Sequence, residues 1–470
     1  MATGFDKLMS MQQVGVGKAR VGAPPAPDPN KEGIIVYVAV FLDGTKNNRY
    51  NTALKRTKTA EAQRVMKNID EHDSYDNYYS NVSILEEMNK RRVPAKYEVS
   101  VYVEGEGTNY NLDEKTGRAT YYDDDQQGYA FGSGVTGIDK KVNKAIRFVR
   151  ERILKPKFYD STKQYIKEIK VDAFGFSRGA AAARHFISRR AGLRTWKDQP
   201  AAATVTVKFV GLFDTVSSYD NTEARLGNVG RGLGHLGNPH EATEFSNDVR
   251  ELGLAIGGNA KCVVHLVAGN EYRVNFASTT IASSLAANVG YELVLPGAHS
   301  DIGGGYAEEV EEEREFHDDA EYTRFVGGGW YTTAQLHRPW NRGSALFNYV
   351  GTRRIRYEYQ YVSLFIMVML ATKSGLELEL AAVDEAALGF TERRFRQHSV
   401  PAELLAVGRE FTTLALGNFH LPKRLAVRLP ENTAGREVRR RYLHRSDSKD
   451  MGMNTLRDKA GWAIRHDIIG

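Results

Sequence analysis

The stretch that most constrains the fold is residues 169–190, IKVDAFGFSRGAAAARHFISRR. A β-prone run leads into Gly175-Phe-Ser177-Arg-Gly179, and an alanine-rich segment of strong helix formers follows. A serine between two glycines, on a tight turn from strand to helix, is the pattern of a nucleophile elbow. The glycines allow the helix to fold back beside the strand, and the helix N-terminus directs N–H groups toward a reacting oxygen. The stretch therefore predicts a catalytic Ser177; an ordinary strand–helix turn with a surface serine is the alternative.

The bulk properties describe a folded chain that matures in a reducing compartment. With 470 residues, of which 41% are hydrophobic, the chain can bury a large core, and general disorder is excluded. Cys262 is the only cysteine, which excludes an internal disulfide and favours the cytosol. The N-terminus lacks a cationic start followed by an apolar run, so we predict no signal peptide. The apolar run 361–371 is too short to span a bilayer as a helix. It predicts a buried core helix, with a segment that enters one leaflet as the alternative.

Several further apolar runs predict strands that are buried on both faces, as is typical of parallel sheets. They cover residues 34–42, 97–103, 204–213, 262–267 and 289–295. The predicted fold class is α/β: an α/β-hydrolase-like, mostly parallel central sheet flanked by helices, with an added, mostly helical C-terminal region.

Three regions are predicted along the chain. Residues 1–33 are a flexible tail with a Pro-rich linker, and residues 34–306 are the catalytic core. Residues 307–470 are a mostly helical region that packs on the core and is a candidate membrane-docking or lid module. Within it, the acidic run 308–321 predicts a solvated helix, and residues 423–429 predict a strand.

Reactive side chains follow three different predicted strands. Ser177 follows the β-prone run 171–174, Asp214 follows residues 204–213, and His299 follows residues 289–295. Because the carboxyl ends of parallel strands meet at one edge of a sheet, the three can converge there, in the order Ser…Asp…His of α/β hydrolases. We predict that Ser177 attacks an acyl carbonyl, His299 is the general base and Asp214 orients the imidazole.

The remaining parts of this site are predicted with alternatives. One oxyanion donor is the N–H of Arg178, and the other is that of Gly44 or Thr45 in the turn after the first strand. Asp214 could instead cap a turn with Thr215. The strongest rival base is His444, which also follows the aspartate in the chain.

Neither a metal nor a cofactor is predicted. Asp123-Asp124-Asp125 could bind calcium, but adjacent carboxylates rarely converge on one ion, so a solvated loop is favoured. His317 stands beside two aspartates without a second histidine at ligand spacing.

Positive charge is concentrated in residues 391–445, which hold 12 Lys and Arg and 5 Asp and Glu. Such a stretch suits anionic lipid head groups or nucleic acid, although a solvated surface is the commoner explanation. It lacks the interleaved aromatic residues of a single-strand binder, so nucleic acid is not a predicted partner.

Four motifs in this order resemble the lipase effectors of bacterial type VI secretion, more narrowly their first class with a G-x-S-x-G elbow. The motifs are FLDGTKNN from residue 41, GFSRGA from 175, FDTV from 213 and GAHSDIGGGY from 297, with EYRVNF from 271 and YLHRS from 442 in addition. The resemblance implies a phospholipase A-type serine esterase that acts on membrane phospholipid through Ser177, Asp214 and His299.

The resemblance also implies the biological setting. The partners would be a secretion-apparatus spike or adaptor protein and a cognate immunity protein. The protein would be cytoplasmic in the producer and then secreted into the periplasm or onto the membrane surface of a target cell. Two alternatives remain: a soluble carboxylesterase or amidase, and a non-catalytic adaptor or nucleic-acid binder that uses residues 391–445.

Overall fold

The computed structural model of the chain describes residues 19–23, 25, 28–89, 96–113, 116–126, 128, 132, 134–155, 157–196, 199–200, 203–218, 248–316, 319–338, 349–378, 400–420, 422–446, 455–457 and 463–470. Most of the predicted N-terminal tail, up to residue 18, and the pair His317 and Asp318 lie outside these residues.

A parallel sheet forms the centre of the described structure. Its strands are β2 Glu32–Leu42, β3 Glu98–Val103, β6 Gln164–Phe176, β9 Thr204–Phe213, β10 Cys262–Ala268, β12 Gly290–Leu295 and β16 Lys423–Ala426, with the short β1 Arg20–Val21 added antiparallel to β9. The order across the sheet is β16-β12-β10-β9-β6-β2-β3, and each neighbouring pair on this path is parallel. The parallel α/β-hydrolase-like fold class is thereby confirmed.

Smaller sheets lie outside this path. Two pairs are antiparallel, β4 Tyr110–Leu112 with β5 Ala119–Tyr121 and β7 Thr195–Trp196 with β8 Gln199–Pro200. β11 Ser278–Thr279 pairs in parallel with β17 Asp467–Ile468. The antiparallel strands β13 Glu309–Phe316, β15 Tyr349–Arg356 and β14 Leu336–His337 form a three-stranded sheet in that order.

Helices cover both faces of the central sheet. In the described residues they are α1 Arg49–Thr57, α2 Ala60–Met66, α3 Asp73–Asp76, α4 Asn81–Met88, α5 Ile138–Ile153, α6 Arg178–Ser188, α7 Asp248–Glu251, α8 Ala282–Ala286, α9 His299–Gly303, α10 Asp319–Gly327, α11 Gln360–Lys373, α12 Ala402–Asn418 and α13 Thr433–Tyr442.

The sheet divides the core into two hydrophobic clusters. Successive strand side chains point to opposite faces, so Val40 of β2 belongs to the cluster that includes α5 and α6, while its neighbour Phe41 belongs to the cluster that includes α4, α11 and α12. Helix α11 is apolar around most of its circumference, as expected of a helix enclosed by protein, and most of its residues are buried. The predicted core helix at residues 361–371 is therefore confirmed. In the described part of the chain, no helix is both long and apolar enough to cross a membrane.

The C-terminal region differs in part from the prediction. The expected solvated helix at residues 308–321 is wrong, because Glu309–Phe316 is the strand β13. Its acidic side chains face arginines of β15: Arg354 Nη1 lies 3.6 Å from Glu309, and Arg353 Nη2 lies 2.7 Å from Glu312. The strand predicted at residues 423–429 is present as β16, at the edge of the central sheet. The region after residue 307 thus supplies an edge strand to the central sheet and a buried helix to the hydrophobic core on one of its faces.

Candidate active site

The turn between β6 and α6 has the geometry of a nucleophile elbow. Ser177 has φ 57° and ψ −128°, a conformation that side-chain-bearing residues seldom adopt. A Cβ at Gly175 would lie 2.3 Å from the carbonyl oxygen of Gly179, and one at Gly179 would lie 2.1 Å from that of Asp43. Only glycine fits both positions, so the two glycines allow the helix to pass close to the strand and to the turn after β2.

Asp214 and His299 come from neighbouring strand ends and meet. Asp214 directly follows β9, and His299 is the first residue of α9, shortly after β12. His299 Nδ1 lies 2.5 Å from Asp214 Oδ2, and both side chains are buried. The Asp214 carboxylate contacts His299, the N–H of Ala268 at 2.9 Å and Arg465, rather than Thr215. The structure therefore places the predicted acid against the predicted base.

Burial and charge act on this pair in opposite directions. Burial opposes ionisation of Asp214, but the charge of Arg465 and the His299 hydrogen bond outweigh it and hold the pKa of Asp214 far below its ordinary range. Burial also lowers the pKa of His299, and the neighbouring Asp214 carboxylate offsets this only in part. The imidazole is consequently neutral at neutral pH, as a general base must be.

Two aromatic rings enclose the His299 imidazole and place it beside the elbow. The ring centroid of Phe176 lies 4.7 Å from that of His299, and the ring of Phe276 meets it edge-on at 5.0 Å. Within the described residues, Ser177 Oγ and His299 Nε2 form no hydrogen bond. In unliganded enzymes such contacts are often long and tighten only when substrate binds.

The turn after β2, which carries two of the predicted oxyanion donors, packs against the start of α6, which carries the third. Arg178 Nε donates to Thr45 Oγ1 at 2.8 Å, which ties the elbow to this turn. The Gly44 N–H donates to Asp43 Oδ1 at 2.8 Å, so this group is already engaged. Of the two predicted donors in the turn, the Thr45 N–H is the one without a hydrogen-bond acceptor among the described residues, and the Arg178 N–H lies at the first position of the helix.

His444, the rival base, belongs to a second pair. His444 Nδ1 lies 2.7 Å from Asp301 Oδ1, and its N–H donates to Asp301 Oδ2 at 2.9 Å. Its ring stacks on Tyr306 at a centroid distance of 3.8 Å, and Nε2 is buried without a hydrogen bond among the described atoms. Since His299 contacts both Asp214 and the ring next to Ser177, the arrangement favours His299 over His444 as the base.

Glu271 supports the backbone of His299, a role that the sequence did not reveal. Its Oε2 accepts the His299 N–H at 3.2 Å and the Ser446 hydroxyl at 2.7 Å. Burial alone would raise its pKa, but the ion pair with Arg273 lowers the pKa of Glu271 to about 2. The charged carboxylate thus holds the start of α9 and the segment after α13 together.

A second buried pair holds the residue after Asp214. The Thr215 N–H donates to His265 Nε2 at 2.9 Å, so the Nδ1 proton of His265 is the one donated to Glu292, at 2.8 Å. Arg424 of β16 lies 3.2 Å from the same glutamate. These contacts connect the edge strand of the sheet to the turn that carries the acid.

Arg465 is the site residue that sequence reasoning missed altogether. Its Nη1 and Nη2 lie 2.6 and 2.8 Å from the two carboxylate oxygens of Asp214. It lies 251 residues away along the chain, in a stretch without a recognisable motif, so no local signal could have identified it.

The three adjacent aspartates, for which calcium binding is the less favoured interpretation, accept hydrogen bonds from other parts of the chain. Asp123 accepts a hydrogen bond from the N–H of Asp70 at 2.7 Å, and Asp124 accepts one from the hydroxyl of Ser74 at 2.6 Å. Asp125 accepts one from the hydroxyl of Thr136, shortly before α5, at 2.6 Å. In the described ranges, no group of three or more His, Cys, Asp or Glu side chains could hold a metal ion.

Several cations of the basic stretch are paired within the protein. Arg424 contacts Asp467 at 2.6 Å, Arg439 contacts Glu431 at 3.2 Å, and Arg441 contacts a carboxylate of α12 at 3.0 Å. Residues 391–399 lie outside the described residues. The observed pairs fit a solvated, internally compensated surface better than a nucleic-acid groove.

Comparison with known proteins gives a family match and a match of fold. Residues 189–323, which include Asp214 and His299 but begin after Ser177, match the family model described as the T6SS phospholipase effector Tle1-like catalytic domain. The solved structure "Structure of the Tle1 effector bound to the VgrG spike from the Type 6 secretion system" superposes with a TM-score of 0.55 at 19% identity, covering 96% of this chain and 99% of that one.

Other comparisons add little. An uncharacterized protein from Pseudomonas aeruginosa gives a TM-score of 0.39 at 15% identity, with 89% of this chain and 55% of that one covered. No curated protein matches the chain. The family model and the shared fold confirm the resemblance that the motifs indicated: the chain is similar to the Tle1-like phospholipase effectors of type VI secretion.

Proposed function

We propose that this protein is a phospholipase of the type VI secretion effector kind, which hydrolyses acyl ester bonds of membrane glycerophospholipids with a Ser177–His299–Asp214 triad. The observation that carries the proposal is the 2.5 Å contact between His299 Nδ1 and Asp214 Oδ2, at the same sheet edge as the strained Ser177 turn. The match to a Tle1-like catalytic domain supports the lipid substrate.

The chemistry follows from the arrangement. His299, neutral because of its burial, takes the hydroxyl proton as Ser177 Oγ attacks the ester carbonyl. The ionised Asp214 then stabilises the imidazolium. The N–H groups of Arg178 and Thr45 would stabilise the oxyanion, and the proton held by His299 passes to the leaving alcohol. Water, activated by the same imidazole, releases the fatty acid.

The proposed partners follow from the comparison. The structurally similar Tle1 effector was solved bound to a VgrG spike, and we propose a spike protein of this kind as the carrier of this chain. A cognate immunity protein and export by type VI secretion to a rival cell's envelope belong to the same proposal.

Fatty-acid release from phospholipid vesicles tests the activity. We expect Ser177→Ala to lower the rate by about 10⁴-fold or more, because the nucleophile is lost. Ser161→Ala is the control, since Ser161 is an exposed serine outside the proposed site. Equal rates for wild type and Ser177→Ala would contradict the mechanism.

A soluble carboxylesterase or amidase is the runner-up, because the same triad would serve it. The two are separated by comparing a short water-soluble ester with vesicles. Turnover that does not increase when the substrate forms lipid aggregates would favour the soluble enzyme. Labelling of Ser177 by a phosphonate reagent is expected for both, and its absence would exclude both.

A further inference from the structure

Arg465 holds the proposed catalytic acid in a forked contact. Its Nη1 lies 2.6 Å from Asp214 Oδ1 and its Nη2 lies 2.8 Å from Asp214 Oδ2. The guanidinium also donates to the carbonyl oxygens of Ala268 and Phe276, each at 2.9 Å. A forked arginine–carboxylate pair is charge-assisted and fixes the plane of both groups, which a single backbone N–H cannot do.

The segment that carries Arg465 is anchored by backbone pairing beside the site. Strand β17 pairs with β11, and the N–H groups of Ser278 and Thr280 donate to the carbonyls of His466 and Ile468 at 2.8 and 2.9 Å. The Ser283 N–H likewise donates to the carbonyl of Gly470 at 2.8 Å. The position of the arginine is therefore set by the fold.

The burial and the backbone conformation of Asp214 explain why its carboxylate requires a charged partner. Its side chain is fully buried, and its backbone has a positive φ of 43°, so the turn after β9 is strained. A buried carboxylate is costly unless it is paired and hydrogen-bonded. Apart from His299, the described residues offer it only the Ala268 N–H and Arg465.

We propose that Arg465 is a positioning residue of the active site and that residues 463–470 are a structural part of the catalytic apparatus. The guanidinium keeps Asp214 ionised and aimed at His299, so that the imidazole has the tautomer and orientation for proton transfer from Ser177. The inference rests on the proposed Ser177 mechanism. It adds a component that lies outside the stretch matched by the catalytic-domain family, residues 189–323.

A double-mutant cycle on the full chain tests the proposal, with a short activated ester as substrate. We expect Arg465→Gln to lower kcat at least about tenfold with KM changed less than about twofold, because orientation rather than binding is lost. In an Asp214→Asn background the same substitution should cost little more, since the arginine acts through the carboxylate. Arg354→Gln is the matched control, because this arginine of β15 is 72% exposed and pairs with Glu309 and Glu311 of β13 rather than with Asp214.

Arg465→Lys is the second variant, because it retains the charge without the fork. We expect it to recover part of the lost kcat. If thermal unfolding shows that Arg465→Gln does not fold, the double-mutant cycle with Asp214→Asn is measured with Arg465→Lys instead. An equal loss of kcat in the wild-type and Asp214→Asn backgrounds, or no loss at all, would overturn the proposal. Wild-type protein that neither cleaves ester nor reacts with a phosphonate at Ser177 would instead overturn the proposed function, so the two failures are distinguishable.

Discussion

At the scale of single residues, two buried glutamates after β3 show how neighbours decide the charge state. Glu104 lies 2.8 Å from Lys141 Nζ and 2.6 Å from Lys144 Nζ, and despite burial these cations lower the pKa of Glu104. Glu106 is also buried, but its oxygens accept no hydrogen bond among the described residues. Burial raises the pKa of Glu106 to about 7, although Arg178 opposes the rise.

The raised pKa predicts that Glu106→Gln stabilises the protein at high pH. The unfolded chain ionises Glu106 near pH 4.5, whereas the folded protein resists ionisation up to about pH 7. The protein therefore loses stability as the pH rises through this range, and a glutamine, which cannot ionise, avoids the loss. We expect a gain of roughly 2–3 kcal/mol in the free energy of unfolding at pH 8 and little change at pH 5, measured with urea. An equal effect at both pH values would contradict the prediction.

Glu104→Gln is the matched substitution at the other buried glutamate, and its expected effect on stability has the opposite sign. The substitution leaves the buried Lys141 and Lys144 without their counter-charge, so we expect destabilisation of about 3–5 kcal/mol at neutral pH. A lowered folded-state pKa means that the contribution of Glu104 is present above its ordinary value of 4.5 and is lost as the pH falls. Urea unfolding at pH 7 and pH 4 should therefore show the difference between wild type and variant shrinking at the lower pH.

His299 gives a pH prediction for the activity. The base acts when neutral, and burial keeps its pKa below the ordinary value of 6.5. The acidic limb of kcat/KM for a soluble ester should therefore have its midpoint below pH 6.5. A midpoint above 6.5 would indicate a solvated or more strongly acid-paired imidazole and would contradict the assigned base. The titratable and charged groups around His299 are Asp214, Glu271, Arg273 and Arg465.

At the scale of elements, helix α9 carries His299 and rests on the ring of Phe176. A Cβ at Gly303 would lie 1.9 Å from Phe176 Cε2, in a core without spare volume. We expect Gly303→Ala to cost about 1–3 kcal/mol in the free energy of unfolding and to lower kcat, because the helix must shift with its histidine. Gly327→Ala, at the end of α10 with no atom within 4 Å of the added carbon, is the control and should be close to neutral. Urea unfolding and ester hydrolysis measure the two effects.

The elements also show what the sequence could and could not predict. Strands β2, β9 and β10 were predictable because each is a nearly continuous apolar run that ends in a polar turn. Strands β3 and β12 and the last part of β6 were predictable from shorter β-prone runs that also end in polar turns. The same locality revealed Ser177, Asp214 and His299, each just after its strand. β13 was missed because its acidic composition is typical of a solvated helix, and the arginines of β15 that pair with it lie some forty residues away in the chain. The role of Glu271, which lies in a recognised motif, and Arg465 itself were missed for the same reason, since both act through contacts with residues far away in the chain.

At the scale of the whole molecule, the proposed active site draws on widely separated parts of the chain. The nucleophile and acid lie within the first half, whereas the supports around them include Ser446 and Arg465. The edge strand β16 pairs with β12, with Lys423 opposite Tyr291. The predicted division at residue 306 remains a prediction, but the contacts show that residues on its two sides share one sheet and one core.

The 251-residue separation between Asp214 and Arg465 has a kinetic consequence. Non-local contacts carry a loop-closure cost that must be met before they stabilise anything, so they form late in folding. On dilution from denaturant, we expect the far-ultraviolet circular dichroism of the helices to return before ester hydrolysis does, and simultaneous recovery would contradict this order. A chain that has regained most of its helices would thus still lack the proposed hydrolytic activity, which would be the last property to appear.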